Sequence, residues 1–349
     1  MTVSVATMTG EQRFLAAARH EPVDATPVWF MRQAGRCLAE YRALRERYDI
    51  LTLAKTPELC AQVTLMPIEA FNVDAAVMFA DIMLPLEPMG VELEIQPDIG
   101  PIIHNPIRSA ADVDRLRLFE PAEGVGFVLD AIRLVSGELS GDRGVIGFSG
   151  APFTLACYLI EGRPSREFAK AKTFMYREPD TWHALMSKLS DVIVRYLRAQ
   201  ADAGAQVLQL FDSWVGALAP SAYERYVQPH VARIFAELHD VPTIHFGANS
   251  AGLLEQLTAA GGDVISIDAH QSLDVAWARV GHERGVQGNL DATRVLAGWT
   301  ATEEGAREVL RRADGRPGHI FNLGHGVLPE SRPDILRRLV EFVHTETAQ

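Results

Sequence analysis

Residues 144–162 read GVIGFSGAPFTLACYLIEG. Val145–Ser149 is a short apolar run, the Gly150-Ala151-Pro152 step breaks it, and helical spacing follows, so the stretch is one strand-loop-helix unit. Within it Thr154 is placed as a helix N-cap, and Tyr158 lies one turn further on. The same rhythm extends in both directions. Strand candidates are Val28–Met31, Ala75–Phe79, Val145–Ser149, Val207–Phe211, Thr243–Gly247, Val264–Asp268, Val286–Leu290 and Ile320–Leu323. Helical segments are expected at about 37–48 and 56–70, 123–139, 165–175 with 179–203, 220–239, 252–260, 273–280, 302–313 and 333–346. Eight consecutive βα units predict an α/β protein whose parallel sheet closes into a (β/α)8 TIM barrel, because crossovers are right-handed and the helices must cover the outside. An open doubly wound sheet is the alternative. Gly90–Pro106 (GVELEIQPDIGPIIHNP) alternates apolar and polar residues around Pro and Gly, which predicts an inserted β-hairpin. No linker-like or like-charge run divides the chain, so residues 1–349 read as a single domain with an ordered core of about 11–346.

Composition narrows the function. Lys and Arg total 33 against 45 Asp and Glu, a net charge of −12 that disfavours nucleic-acid binding. The longest uncharged run, Gly144–Ile160, contains two internal glycines and a proline and falls short of the ~20 apolar residues that span a bilayer. Cys37, Cys60 and Cys157 are far apart and make no C-x-x-C pair, and the N-terminus lacks signal-peptide character, so a reduced, cytoplasmic setting is expected. An acidic chain repels a multiply anionic ligand at long range. Such a ligand needs a local group of arginines.

Chemistry in this fold belongs on the loops that leave the C-terminal ends of strands. After the first strand stand Arg32-Gln33-Ala34-Gly35-Arg36, after the second Asp81, and after the fourth Asp212-Ser213-Trp214. Two guanidiniums around a glycine make a carboxylate clamp, each charged hydrogen bond contributing on the order of 1.5–3 kcal/mol. Pairing with Glu40 or Glu46 is the alternative role. Asp81, set before Ile82-Met83-Leu84-Pro85, is either a perturbed carboxylate or a helix cap. Tyr158 reads from spacing alone as a packing residue. Gly288-Asn289 and Gly324-His325-Gly326 sit where barrels often bind phosphate, although an imidazole between glycines suits a proton donor or substrate contact better. Neither dinucleotide nor nucleotide glycine motifs occur.

PVWFMRQAGR (27–36), FADIMLP (79–85), GFSGAPFTLACYLIEG (147–162), FDSWVG (211–216), QGNLD (287–291) and FNLGHGVLPE (321–330) together resemble the uroporphyrinogen decarboxylases, from about Phe14 to near the C-terminus. Cys37-Leu38-Ala39 and Ala292 depart from the family's usual residues. The resemblance implies a (β/α)8 barrel, a homodimer, no metal or organic cofactor, and conversion of uroporphyrinogen to coproporphyrinogen by loss of carbon dioxide from four acetates. It further implies that Arg32, Gln33, Ala34, Gly35 and Arg36 line the substrate site, that Asp81 faces the pyrrole NH groups, and that Tyr158, Ser213 and His325 contact substrate. Asp81, Arg32, Tyr158 and His325 are the expected catalytic group. Arg32 orients and neutralises charge, while the general acid is His325, Tyr158 or a water.

Two rivals have sequence handles. Corrinoid-dependent methyltransferases of the same superfamily bind zinc through His and Cys, but His245-Phe246-Gly247 has no thiol and no cysteine follows Cys157. A non-catalytic tetrapyrrole carrier would need the arginines and not Asp81.

Overall fold

The computed structural model describes residues 7–96 and 99–349. In chain order the strands are β1 (Ala75–Val77), β2 (Leu93–Gln96), β3 (Gly100–Ile103), β4 (Gly144–Gly150), β5 (Val207–Asp212), β6 (Thr243–Gly247), β7 (Val264–Ser266), β8 (Gly285–Gln287) and β9 (His319–Ile320). β2 and β3 pair antiparallel, with Leu93 opposite Ile103, and form the expected hairpin within Gly90–Pro106, of which residues 97 and 98 lie outside the described residues. The other seven strands make one parallel sheet in the order β1-β4-β5-β6-β7-β8-β9.

What would be two open edges, β1 and β9, are joined by residues 27–31. Trp29 N–H donates to Phe321 O at 3.4 Å, Phe321 N–H to Pro27 O at 2.9 Å, and Asp74 N–H to Val28 O at 2.8 Å. The sheet is therefore closed, and the open doubly wound alternative is excluded.

This first stave corrects the expected strand Val28–Met31, of which only Val28 makes a β-bridge. Side chains take the amides that a ladder would have used. Val28 N–H donates to Asp74 Oδ2 at 2.7 Å, Phe30 N–H to Gln33 Oε1 at 3.0 Å, and Met31 N–H to Asn322 Oδ1 at 3.1 Å. A buried amide must find an acceptor, and here the acceptor need not be backbone.

Outside the barrel, helix Pro179–Asp202 carries Trp182, Leu185, Met186, Leu189, Ile193 and Leu197 buried at helical spacing. Gly147 of β4 faces it, since a Cβ there would meet Gln200 Oε1 at 2.6 Å. Helix Pro152–Glu161 starts earlier than expected. Its N-cap is Ala151 with Pro152 at the first position, where the fixed φ of proline suits a helix start, so Thr154 lies inside the helix and does not cap it. The expected helix at 220–239 is two, Pro220–Tyr226 and Gln228–Glu237, broken at Val227. The hairpin braces the end of helix Pro152–Glu161, with Ile103 N–H donating to Gly162 O and Ile107 N–H to Leu159 O, both at 2.9 Å.

At the opposite face Asp74, 2% exposed, accepts from Val28 N–H, from Arg13 at 2.7 Å and from His344 Nε2 at 2.7 Å. The carboxylate thus ties the first stave to the helices Gly10–Ala18 and Pro333–Thr347. Asp74→Ala is expected to cost about 3–5 kcal/mol, because it strands partners in a buried ionic site. Urea unfolding measures this, and a loss below about 1 kcal/mol would mean that solvent replaces the carboxylate.

Candidate functional site

The loops at the C-terminal ends of the strands bring together residues far apart in the chain. Arg32 follows the first stave with φ +57°. A side chain in that left-handed conformation costs roughly 1–2 kcal/mol, and such outliers gather at functional sites. The turn is closed by Gln33 N–H donating to Phe30 O at 3.1 Å. Its guanidinium is exposed, as is that of Arg36, and among the described residues neither has a carboxylate within ion-pair distance. Pairing with Glu40 or Glu46 is thus not what these arginines do. Gly326 lets Arg32 lie flat against the loop after β9, since a Cβ there would meet Arg32 Cδ at 2.6 Å.

Asp81 is half-buried beyond β1, before the short helical turn Leu84–Leu86. Its Oδ1 accepts from Met83 N–H at 2.8 Å. Burial among Met83, Leu84 and Pro85 raises its carboxyl above the ordinary range; the Met83 hydrogen bond and the charge of Arg32 oppose that shift, and Glu87 adds to it. Both sequence-level readings of Asp81 thus have a basis, since it makes a local turn contact and carries a perturbed carboxyl.

Tyr158, half-buried on helix Pro152–Glu161, feels the same two charges. Burial and Asp81 push its phenol up, and Arg32 pulls it down. His325 is exposed between Gly324 and Gly326; neighbouring protein and Arg32 lower its imidazole, Asp268 opposes them, and His270 adds to the lowering. One cation, Arg32, therefore bears on Asp81, Tyr158 and His325 at once. Ser213 is half-buried at the turn that leaves β5.

The remaining residues of the first loop divide. Ala34 and Gly35 are half-buried, with Ala34 packed on the core. The Gln33 side chain is sealed in the wall, 0% exposed, accepting from Phe30 N–H and donating to Ala75 O at 2.9 Å. Both ends of the side-chain amide are thus used in closing the barrel, which leaves the backbone of Gln33 as the part that can line the loop.

Two further residues belong to the mouth, Asp268, to which sequence reasoning gave no role, and Trp214, which it named only as a neighbour of Ser213. Asp268, 2% exposed at the end of β7, accepts from Ser250 N–H and His270 N–H and faces His325. Trp214 lies against Tyr158 with ring centroids 4.1 Å apart. Both stand at strand ends, the positional signal that singled out their neighbours.

The rival sites fare differently. Asn289 Nδ2 donates to Asp268 O and Gln271 O, while the Asp291 carboxylate caps Thr293 N–H at 2.9 Å, so the turn after β8 already carries a negative group where phosphate would bind. His245 is buried behind the wall against Leu257 O and Gly261 O. Among the described residues no group of three or more His, Cys, Asp or Glu could hold a metal ion.

A family model described as uroporphyrinogen decarboxylase (URO-D) matches residues 9–346. The chain is 53% identical over 335 residues to the uroporphyrinogen decarboxylase of Sorangium cellulosum, covering 95% of this chain and 96% of that protein. It is 51% identical over 336 residues to that of Thermus thermophilus, covering 96% and 98%. Among solved structures, a methyltransferase from Methanosarcina mazei superposes with a TM-score of 0.81 at 18% identity over 97% of this chain, a likeness of fold alone.

Because Arg32 lowers the pKa of both Asp81 and His325, Arg32→Gln is expected to raise both. Nuclear magnetic resonance titration of the two side chains reads this directly, and unmoved midpoints would show that the three groups are not coupled.

Proposed function

The chain belongs to the uroporphyrinogen decarboxylase family and decarboxylates uroporphyrinogen as a carboxy-lyase; we propose that the mouth built around Arg32 and Asp81 is where it does so. The observation that supports this most is the pairing of unpartnered arginines with a buried carboxyl on one barrel rim. Arg32 and Arg36 meet the carboxylates of an octa-anionic substrate, supplying the local positive charge that a chain of net charge −12 otherwise lacks.

Decarboxylation leaves an electron pair that needs a sink. Protonation of a pyrrole ring carbon makes an iminium-like cation, the C–CO2 bond electrons flow into it, and carbon dioxide leaves. A proton added to the exocyclic carbon and one lost from the ring then give a methyl group and an intact pyrrole. Each turn consumes one proton and releases one carbon dioxide. The substrate is its own electron sink, so this reading needs no organic cofactor or metal. Repetition on four acetates converts uroporphyrinogen III to coproporphyrinogen III in tetrapyrrole (haem) synthesis.

Asp81 is suited to the cationic stage. Burial leaves an ionised Asp81 only partly compensated by Met83 N–H and Arg32, and a positive ring supplies more. The stabilisation is therefore larger for the cation than for the neutral substrate. Tyr158, Ser213 and His325 complete the contacts, with Ala34, Gly35 and the backbone of Gln33 forming the floor beside the arginines. The general acid is His325, Tyr158 or a water that they hold. A homodimer in a cytoplasmic setting, with one domain per chain, is part of the same reading. The three buried, unpaired thiols accord with that setting, and light scattering checks the dimer.

Anaerobic incubation with chemically reduced uroporphyrinogen III, followed by chromatography, tests the proposal. Products with seven, six, five and four carboxylates are expected in turn, whereas binding without product would favour a tetrapyrrole carrier. Asp81→Asn should lower kcat by about 100-fold or more with the fold intact. Asp81 must be ionised to act and its carboxyl is raised, so kcat/KM of the wild type should fall with acid at a pH above the ordinary carboxylate range, and the variant should lose that limb. Near-normal turnover in Asp81→Asn would reject its role. Arg36→Ala is expected to raise KM about tenfold or more with little change in kcat, and an unaltered KM would make Arg36 structural.

A further inference from the structure

We infer that Asp212, Thr154 and Trp214 form a bracket that positions the Tyr158 phenol and the Ser213 turn at the barrel mouth. The inference rests on the placing of Tyr158 in the site proposed above and goes beyond it to groups that do not touch substrate.

The bracket adds a side-chain tie between the helix Pro152–Glu161 and the turn after β5, beside the backbone bond from Ala151 N–H to Phe211 O at 2.8 Å. Asp212, the last residue of β5, is 0% exposed, and its Oδ1 accepts from the Thr154 hydroxyl at 2.8 Å. The same hydroxyl oxygen accepts from Trp214 N–H at 3.4 Å. Thr154, itself 0% exposed, thereby grips both sides of Ser213. One helical turn on, Tyr158 shares the face of Thr154. Its ring lies 4.1 Å from Trp214, whose other contact is Phe168 at 4.7 Å, stacked.

Among the described residues the Tyr158 hydroxyl has no protein hydrogen-bond partner, so the stack is what orients it. Phe168 closes the stack in a left-handed conformation, φ +50°, which is an outlier for a bulky residue. Ser165 Oγ accepts from its N–H at 3.1 Å and holds it there. A local cost is maintained to keep an aromatic ring against Trp214.

Asp212 also has an unusual setting. Its Oδ2 and the Tyr223 hydroxyl are both buried without partners. The groups that face it are Thr154 and Cys157 from helix Pro152–Glu161 and Tyr223 from helix Pro220–Tyr226, none of them cationic. Burial pushes the carboxyl up to about 7. The hydrogen bonds from Thr154 oppose that shift, so the contact that makes the bracket favours the ionised carboxylate while burial disfavours it.

Steady-state kinetics on folded variants, with thermal unfolding as the control, separates positioning from packing. Thr154→Val should lower kcat about tenfold with KM within about twofold, since misplacing a catalytic group costs turnover more than binding. Thr154→Ser, which keeps the hydroxyl, should restore it. Trp214→Phe should retain more kcat than Trp214→Leu, which gives a second route if Thr154→Val does not fold. Wild-type kcat in folded Thr154→Val, alongside an impaired Tyr158→Phe, would overturn the bracket and leave the site reading standing. Wild-type kcat and KM in Tyr158→Phe would overturn the placing of Tyr158, and the bracket with it.

Discussion

The amide groups of residues 28–31 must find acceptors inside a closed barrel, and the way they do so shapes the rest of the molecule. A full strand there would have paired them with neighbouring backbone. Only Trp29 N–H keeps a backbone acceptor, while Asp74, Gln33 and Asn322 take those of Val28, Phe30 and Met31, so the chain is free to turn sharply at Arg32 immediately after crossing the wall. The same three side chains connect the first stave to β1, to the loop after β9 and to two outer helices. Closure of the barrel and presentation of Arg32 are thus one construction. Buried hydrogen bonds to side chains are costly to leave unmade, which makes the arrangement cooperative.

The mouth inverts the electrostatics of the whole protein. A surface of net charge −12 would repel a poly-anion, yet among the described residues Arg32 and Arg36 stand there without acidic partners. Between them and the core lies a carboxyl raised by burial and an imidazole lowered by the same arginine. A carboxyl shifted up and an imidazole shifted down are brought toward one another, which is the kind of perturbation found where protons are transferred. Behind the rim, a second carboxyl, Asp212, sits fully enclosed and holds the loops in register from the rear.

Reading the sequence reached the core strands more surely than the site. β6 begins and ends where alternation and flanking residues place it, and helix Leu273–Val280 matches its expected span. Thr154 was misread as a cap because the preference of Pro152 for the first helical position outweighs that of threonine for the cap. The Gly288-Asn289 turn suggested a phosphate site because glycine spacing cannot report that Asp291 and Asn289 already occupy the polar groups there. That the Gln33 side chain turns into the wall is not legible beside its arginine neighbours, because adjacency in a loop says nothing about which way each side chain faces.

By itself the sequence determined the class of the fold, the hairpin, the strand ends where Arg32, Asp81, Tyr158, Ser213 and His325 fall, and through its motifs the family. These depend on local periodicity, on turn-forming residues and on residue identity, all of which are properties of short segments. Only the tertiary structure decided that Arg32 bears on three separated groups, that the Gln33 side chain is bonded into the wall, and that Asp212 reaches Thr154 across 58 residues of chain. Those outcomes depend on distance and burial between segments, and burial sets both the strength of a charge and the cost of an unpaired polar group. No single segment carries that information until the barrel has closed.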